Sequence, residues 1–147
     1  MGLLAIADEL IREALRTRLW SVSGVPGTSL RALENTTIKP PSSSTWIRES
    51  TQFDTTEGTG LGMSAGIPVR HRLTGAYMVD LFYPYGQGTG PSGIVVGNIG
   101  EAFKPGTTLT NGGISVLIER YSKSGQQDGD GWYFRPLVIS WSCDVVQ

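Results

Sequence analysis

The sequence predicts an α+β domain in which two helices pack on one face of a mostly antiparallel, four-stranded sheet, in the order α-β-β-α-β-β. Three observations support this fold class. Residues 71–83 alternate strictly between apolar and mixed side chains, which is typical of a half-buried strand. Residues 3–19 and 93–103 instead carry apolar side chains at helical spacing. At 147 residues, the chain suits a single domain over positions 1–147 that can bury a substantial core.

The segment 71–83 is the strand around which the predicted sheet is organised. A helix cannot account for it, because Tyr77 and Leu81 would then share a stripe with Asp80. As a strand it places one set of mainly apolar residues on one face, namely Leu73, Gly75, Tyr77, Val79, Leu81 and Tyr83. Pro84 and the glycine-rich residues after it end the element. We therefore expect this strand in the interior of the sheet.

The two predicted helices differ in how well their own sequences support them. The helix over 3–19 has one apolar stripe, made of Leu3, Ile6, Ala7, Leu10, Ile11 and Ala14. Ser92 can cap the second helix, 93–103, but Gly97 and Gly100 each cost about 1 kcal/mol relative to alanine in a helix interior. The second helix therefore needs packing against the sheet for its stability.

Three further strands complete the predicted sheet, over residues 45–53, 114–121 and 132–146. The last strand has one apolar face, made of Tyr133, Leu137, Ile139, Trp141, Cys143 and Val145. Pro136 lies within it and cannot donate a ladder hydrogen bond, so we expect a sheet edge or a bulge there. The glycine-rich loops 54–66 and 122–131 have few apolar anchors, and we expect them to be mobile in an isolated subunit.

The composition argues against several classes of protein. Twelve basic and thirteen acidic residues nearly balance, which does not suit a nucleic-acid binder held by clustered cations. The single cysteine, Cys143, cannot form an internal disulfide. No apolar run approaches the roughly 20 residues of a membrane helix, and the N-terminus lacks the basic region of a signal peptide. We therefore expect either a soluble intracellular protein or a part of something assembled inside a cell.

No set of residues predicts catalysis, and we expect neither an enzyme nor a bound metal or cofactor. His71 lies between two arginines, and Cys143 lies on an apolar strand face, so we interpret both as structural. Asp128 and Asp130 lie in a glycine-rich turn without the further acidic ligands of a calcium loop. The glycine-rich residues 86–90 lack both the spacing and the lysine of a phosphate-binding loop.

Several segments together resemble the tail terminator proteins of long-tailed bacteriophages. They are the amphipathic opening LLAIADELIREAL, the segment TTIKPP leading to the tryptophan-anchored strand WIREST, the strand end VDLFYPYGQG, the helix GNIGEAFKPGTTL and the closing strand GWYFRPLVISW. In that family the helix after the second strand commonly ends in phenylalanine followed by a Lys/Pro/Gly turn. Phe103, Lys104, Pro105 and Gly106 match this pattern.

The resemblance implies a structural protein rather than an enzyme. Such proteins form a homohexameric ring that caps the tail tube, stops its polymerisation and gives the head-side neck or connector an attachment surface. DNA passes through the lumen without specific binding. The expected location is the head-proximal end of the virion tail, after assembly in the host cytoplasm. Two alternatives remain: a neck or head-completion protein of the same virion, and a small ligand-binding α+β domain that uses residues 86–93.

Loop residues are the candidate contact sites of such a ring. We expect contacts with neighbouring subunits or with the tube from Glu57, Gly60, Leu61, Met63, Tyr85, Gln87 and Thr89. Carboxylates facing the lumen would repel phosphate and let DNA slide past, whereas lysine or arginine would grip it. The candidates for this lining are acids of the longest loops, Asp54, Glu57, Asp128 and Asp130.

Overall fold

A computed structural model describes residues 3–34, 36, 38, 44–58, 70–84, 90–125, 127–129 and 132–146. Its two α-helices are α1 (Leu3–Trp20) and α2 (Gly90–Ala102), and a short 3-10 helix covers Thr28–Leu30. Its strands are β1 (Arg31–Ala32), β2 (Trp46–Gly58), β3 (Arg70–Pro84), β4 (Thr108–Asn111), β5 (Ile114–Lys123), β6 (Gln127–Gly129) and β7 (Trp132–Val146).

The predicted four-stranded antiparallel sheet with the order α-β-β-α-β-β is wrong. The seven described strands form one sheet with the order β1-β2-β3-β7-β5-β4, and β6 pairs with β7 beside this path. Strand β1 runs parallel to β2, so the sheet is mixed, and it curls into a half-barrel. The three missed strands are two, four and three residues long, which is too short for alternation to be recognised in the sequence.

The predicted loops also contain regular structure. Strand β2 continues to Gly58, so residues 54–58 are strand rather than loop, while residues 59–66 lie outside the described part of the chain. Strand β6 occupies part of the predicted turn 122–131. A register shift in β2 between Phe53 and Thr56 interrupts the sequence alternation there, which explains why the pattern ended early.

Strand β3 occupies the interior position that was predicted, between β2 and β7. Its buried residues are those of the predicted inward face, Leu73, Gly75, Tyr77, Val79, Leu81 and Tyr83. A Cβ atom at Gly75 would lie 2.0 Å from the carbonyl oxygen of Gln52 and 2.7 Å from the Trp141 ring. Glycine is therefore required at this position, where the β2 backbone and a large core side chain both approach closely.

Both helices contribute to a single core on one side of the sheet, and in this respect the sequence prediction agrees with the structure. The buried stripe of α1 consists of Ala7, Ile11, Ala14, Leu15 and Leu19. Val96 and Ile99 of α2, and Phe103 just beyond it, join the same cluster around Tyr77 and Trp141. At roughly 1.5–3 kcal/mol for each fully buried large side chain, this cluster provides the main stabilising free energy.

Pro136 lies in an interior strand, opposite Asp80 of β3, rather than at a sheet edge. Its carbonyl oxygen accepts a 3.0 Å hydrogen bond from Ser124 N, so its backbone faces away from β3. On that side, β7 pairs with β6 up to Phe134 and with β5 from Leu137 onward. The missing N–H group therefore falls in the gap between two partner strands.

We expect Gly75→Ala to lower the free energy of unfolding by about 3 kcal/mol, because the added methyl group collides with β2 backbone and Trp141. Gly97→Ala is the matched control. Gly97 is exposed within α2, and a methyl group added there would meet no atom within 4 Å, so this change should stabilise by about 0.5–1 kcal/mol. Urea unfolding of both variants measures the difference, and equal effects would contradict the packing described here.

Candidate functional site: the two flanks of helix α1

Helix α1 lies across the open side of the curled sheet and is bonded to both ends of it. At one end, Asn111 Nδ2 of β4 donates to Leu10 O at 3.0 Å and to Glu13 Oε2 at 3.2 Å. At the other end, Arg16 forms an ion pair with Glu49 of β2. Helical spacing places these contacts on opposite sides of α1, with the buried stripe between them.

We call the two surfaces the β2 flank and the β4 flank. The β2 flank is made of Glu9, Arg12, Arg16, Glu34 and Glu49. The β4 flank is a groove of about 400 Å³ lined by Ala14, Thr17, Arg18, Ser21, Thr108, Leu109, Thr110 and Asn111. One flank is dense with charge and the other is rich in hydroxyl groups, so the two sides of the subunit differ chemically.

Arg12 is the centre of the charged network on the β2 flank. Its guanidinium group lies 3.0 Å from Glu9 Oε1 and 3.2 Å from Glu34 Oε2, and it stacks over the Phe53 ring at 4.9 Å. Glu34 Oε1 accepts a 2.6 Å hydrogen bond from the Thr51 backbone N–H. Strand β1 ends two residues before Glu34, so β2 has no partner strand beside Thr51. The Glu34 carboxylate takes up the free N–H group there and protects this edge of the sheet from pairing with another chain.

Glu49 is almost completely buried, with 1% of its surface exposed. Burial raises the pKa of its carboxyl group, and the opposing effect of Arg16 is smaller. Burial, reinforced by the Glu49 charge, also raises the pKa of Tyr77 well above the usual value. Glu49 Oε2 and Tyr77 Oη have no hydrogen-bond partner in the described part of the chain. The ion pair of Arg16 with the other oxygen of Glu49 fixes α1 on the sheet, and burial keeps these groups from being accessible reactive groups.

On the β4 flank, the backbone of the edge strand remains open. Thr107 O accepts a 2.8 Å hydrogen bond from Ile118 N, so alternate residues from Thr107 onward face β5. The N–H and C=O groups of Thr108 and Thr110 therefore point away from the sheet and into the groove region. Arg18 Nε donates to Ala102 O at 3.0 Å, which caps the end of α2, and Arg18 forms no ion pair with any described residue.

On the sheet face opposite the helices, most described side chains of β3 and β7 are partly exposed. Trp46 stacks on Phe82 at 4.1 Å, and Phe82 stacks on Phe134 at 5.2 Å. Two of the arginines on this face pair with aspartates of neighbouring strands: Arg48 with Asp80 at 2.8 Å, and Arg72 with Asp144 at 3.0 Å. Because each of these cations has an anion beside it, they present little net positive charge.

The structure places the predicted site residues in different regions. Asp54 is exposed on β2, Glu57 belongs to the end of β2 and Asp128 belongs to β6. Phe53 pairs with Gly75 and Tyr133 with Tyr83, so Asp54 and Asp128 lie about eight β3 residues apart, or roughly 26 Å. The remaining predicted residues lie outside the described part of the chain: Gly60, Leu61, Met63, Tyr85, Gln87, Thr89 and Asp130.

The charged network on the β2 flank is not apparent from the sequence. Arg12 and Arg16 lie outside the apolar stripe of the predicted helix, and helical spacing of Asp8, Arg12 and Arg16 is typical of an ordinary solvated face. One signal was present: Glu49 occupies the same alternation face as Ile47 and Phe53 in the strand pattern. A carboxylate on a face that is otherwise suited to burial requires a cationic partner from another element, and that partner is Arg16.

No catalytic centre is recognisable from the geometry of the described residues. No three His, Cys, Asp or Glu residues among them come together as metal ligands. Burial raises the pKa of the Cys143 thiol to about 11, so it stays protonated near neutral pH. Neither α1 nor α2 is long and apolar enough for a membrane-spanning segment.

Comparison with known proteins identifies the family of this chain. The family model described as phage tail terminator protein matches residues 10–141, and the chain therefore belongs to the phage tail terminator family. One solved structure is similar over 95% of each chain, with a TM-score of 0.68 and 20% sequence identity, which shows a shared fold. A search of curated proteins gives no match. Family membership makes this chain a structural component of a phage tail.

We expect Arg16→Met to lower the free energy of unfolding by about 3–5 kcal/mol, because it leaves the buried Glu49 carboxylate without its partner. The double variant Arg16→Met/Glu49→Leu should recover most of that loss, since it removes both charges. Arg48→Met, which breaks the more exposed Arg48–Asp80 pair, is the control and should cost about 0–1 kcal/mol. Urea unfolding at neutral pH measures all three, and a small effect of Arg16→Met would contradict the structural role of this pair.

Proposed function

We propose that six copies of this chain form a ring that caps the tail tube, stops its polymerisation and provides an attachment surface for the neck or connector. The family assignment supports a terminator role. The observation that carries the ring is the pair of dissimilar flanks on opposite sides of α1. A closed cyclic ring needs a heterologous interface, in which one patch of a subunit meets a different patch of the next.

Six-fold symmetry follows from the tube that the ring has to match. The resemblance to terminators of long-tailed phages implies a tube with six-fold symmetry, so a hexamer can make the same contact with every tube subunit. The ring would then reside at the head-proximal end of the tail, after assembly in the host cytoplasm. Its partners would be the tail tube protein on one side and a head-side neck protein on the other.

DNA passage through this ring requires a lumen that does not hold phosphate. Asp54 is exposed and forms no ion pair with the described residues, so it suits such a lining. Glu57, Asp128 and Asp130 remain proposed members of the same lining. Their separation within one subunit does not prevent this role, because they would line different levels of the channel. The function requires no catalytic step, and we propose a non-enzymatic protein.

We expect purified protein, mixed with tail tubes assembled from tube protein, to form a six-fold particle at one end of each tube. Electron microscopy of tube ends measures this directly, and further addition of tube protein should no longer lengthen capped tubes. Tubes incubated with an unrelated protein of similar size are the control. A protein that stays monomeric and leaves tube ends bare and growing would contradict the proposal.

A further inference from the structure

We propose that the ring closes by contact of the β2 flank of one copy with the β4 flank of the next, with the open β4 edge as the receiving surface. This inference rests on the proposed function, and it specifies which surfaces meet. The partner is a second copy of this chain. Three features of the described residues support it: the different state of the two sheet edges, the position of the groove, and the distribution of unpaired charge.

The outward backbone groups are hydrogen-bonded at one edge of the sheet and open at the other. On the β2 side, strand β1 and the Glu34 carboxylate cover the outward backbone groups from Ile47 to Thr51. On the β4 side, α1 lines the groove, but no described residue forms a hydrogen bond with the outward N–H and C=O groups of Thr108 and Thr110. An open edge is a template for pairing with another chain, and proteins normally protect such edges. An edge that is left open beside a groove is suited to receive an extended segment.

The position of the β4 flank suits a contact that propagates around a ring. The groove lies beside α1 at one end of the strand order, and the β2 flank lies at the other end, across α1. Surfaces on opposite sides of a subunit can each meet a different neighbour, as a cyclic assembly requires.

On β2, Thr51 donates outward to Glu34, so Phe53, two residues later, also directs its backbone outward. This is the first open backbone position that could pair with β4.

Charge distribution favours the same pairing of surfaces. Arg18 is the charged residue of the groove, and it has no anionic partner among the described residues. On the β2 flank one guanidinium, Arg12, serves two carboxylates, Glu9 and Glu34. The flank therefore carries excess negative charge, to which exposed Asp54 adds. The β4 flank offers the guanidinium of Arg18, with the Glu13 carboxylate bonded to Asn111 at its margin. An acidic surface on one copy that meets Arg18 of the next promotes correct association and opposes association of like flanks.

The first test uses a backbone substitution on the open edge. Thr110→Pro removes an N–H that points away from β5, so the sheet can tolerate it, whereas an added strand loses a donor. Thr110→Ala keeps the N–H and is the matched control. Circular dichroism and urea unfolding check that both variants are folded. At equal protein concentration, we expect Thr110→Pro to cap about tenfold fewer tubes than wild type, while Thr110→Ala caps as wild type.

The second test measures proximity and does not depend on how well Thr110→Pro folds. The native cysteine, Cys143, is buried, so introduced cysteines are the reactive ones. Thr110→Cys and Gln52→Cys proteins are mixed on tubes and treated with a short bifunctional maleimide. We expect cross-linked subunits in the mixture, and none from either variant alone. Ser122→Cys, exposed on β5, replaces Thr110→Cys as the control and should not cross-link to Gln52→Cys.

The outcomes separate the two proposals. If wild-type protein does not cap tubes, the proposed function fails, and the interface fails with it. If wild type caps tubes and folded Thr110→Pro caps them equally well, only the interface is wrong. Absence of cross-links in the mixture on capped tubes would also overturn it. Cross-linking of Thr110→Cys to itself would do the same, because that result indicates a symmetric contact of like surfaces.

Discussion

The docking of helix α1 into the open side of the curled sheet is the interaction on which the other features of the structure depend. The sheet does not close on itself: its order begins with β1 and ends with β4, and these two strands do not pair. The apolar stripe of α1 fills the space between them and buries Ile11, Leu15 and Leu19 completely. Without this helix, the inner faces of several strands would be exposed to water.

The polar contacts at the margins of α1 determine its position rather than supplying most of the stability. Asn111 holds the helix against β4 through Leu10 O, and Arg16 holds it against β2 through the buried Glu49. A buried ion pair gains little net free energy over an apolar pair, but loss of one partner is costly. The helix therefore has one favoured position on the sheet. That position forms a charged surface on one side of the helix and a groove on the other, which are the surfaces that the ring proposal uses.

Sequence periodicity was sufficient for the long elements and insufficient for the short ones. Strand β3 and helix α1 have long, regular patterns, and their spans follow the prediction closely. Of the predicted helix stripe, Ala7, Ile11 and Ala14 are buried, whereas Ile6 is exposed. Strand β1 contains two residues and β6 contains three, so neither could show a repeat, and both depend on neighbouring strands for pairing. The β2 bulge after Phe53 broke an alternation that in fact continues as strand.

The functional surfaces were less accessible to sequence reasoning than the fold. Resemblance to tail terminators gave the family, which the family match over residues 10–141 confirms. Neither flank follows from a local motif, because each joins residues from distant parts of the chain. Arg12 meets Glu34 across 22 positions, and Leu10 meets Asn111 across 101. The loop residues chosen as contacts remain a prediction, as does the acidic lining of the lumen.

The central claim is that this protein stops growth of the tail tube, and tail length tests it most directly. Phage particles and free tails made in the absence of the protein should be compared by electron microscopy with those from cells that supply it from a plasmid. We predict overlong tails of variable length when it is absent, since tube polymerisation has no cap, and uniform tails when it is restored. Tails of normal, uniform length in its absence would contradict the account.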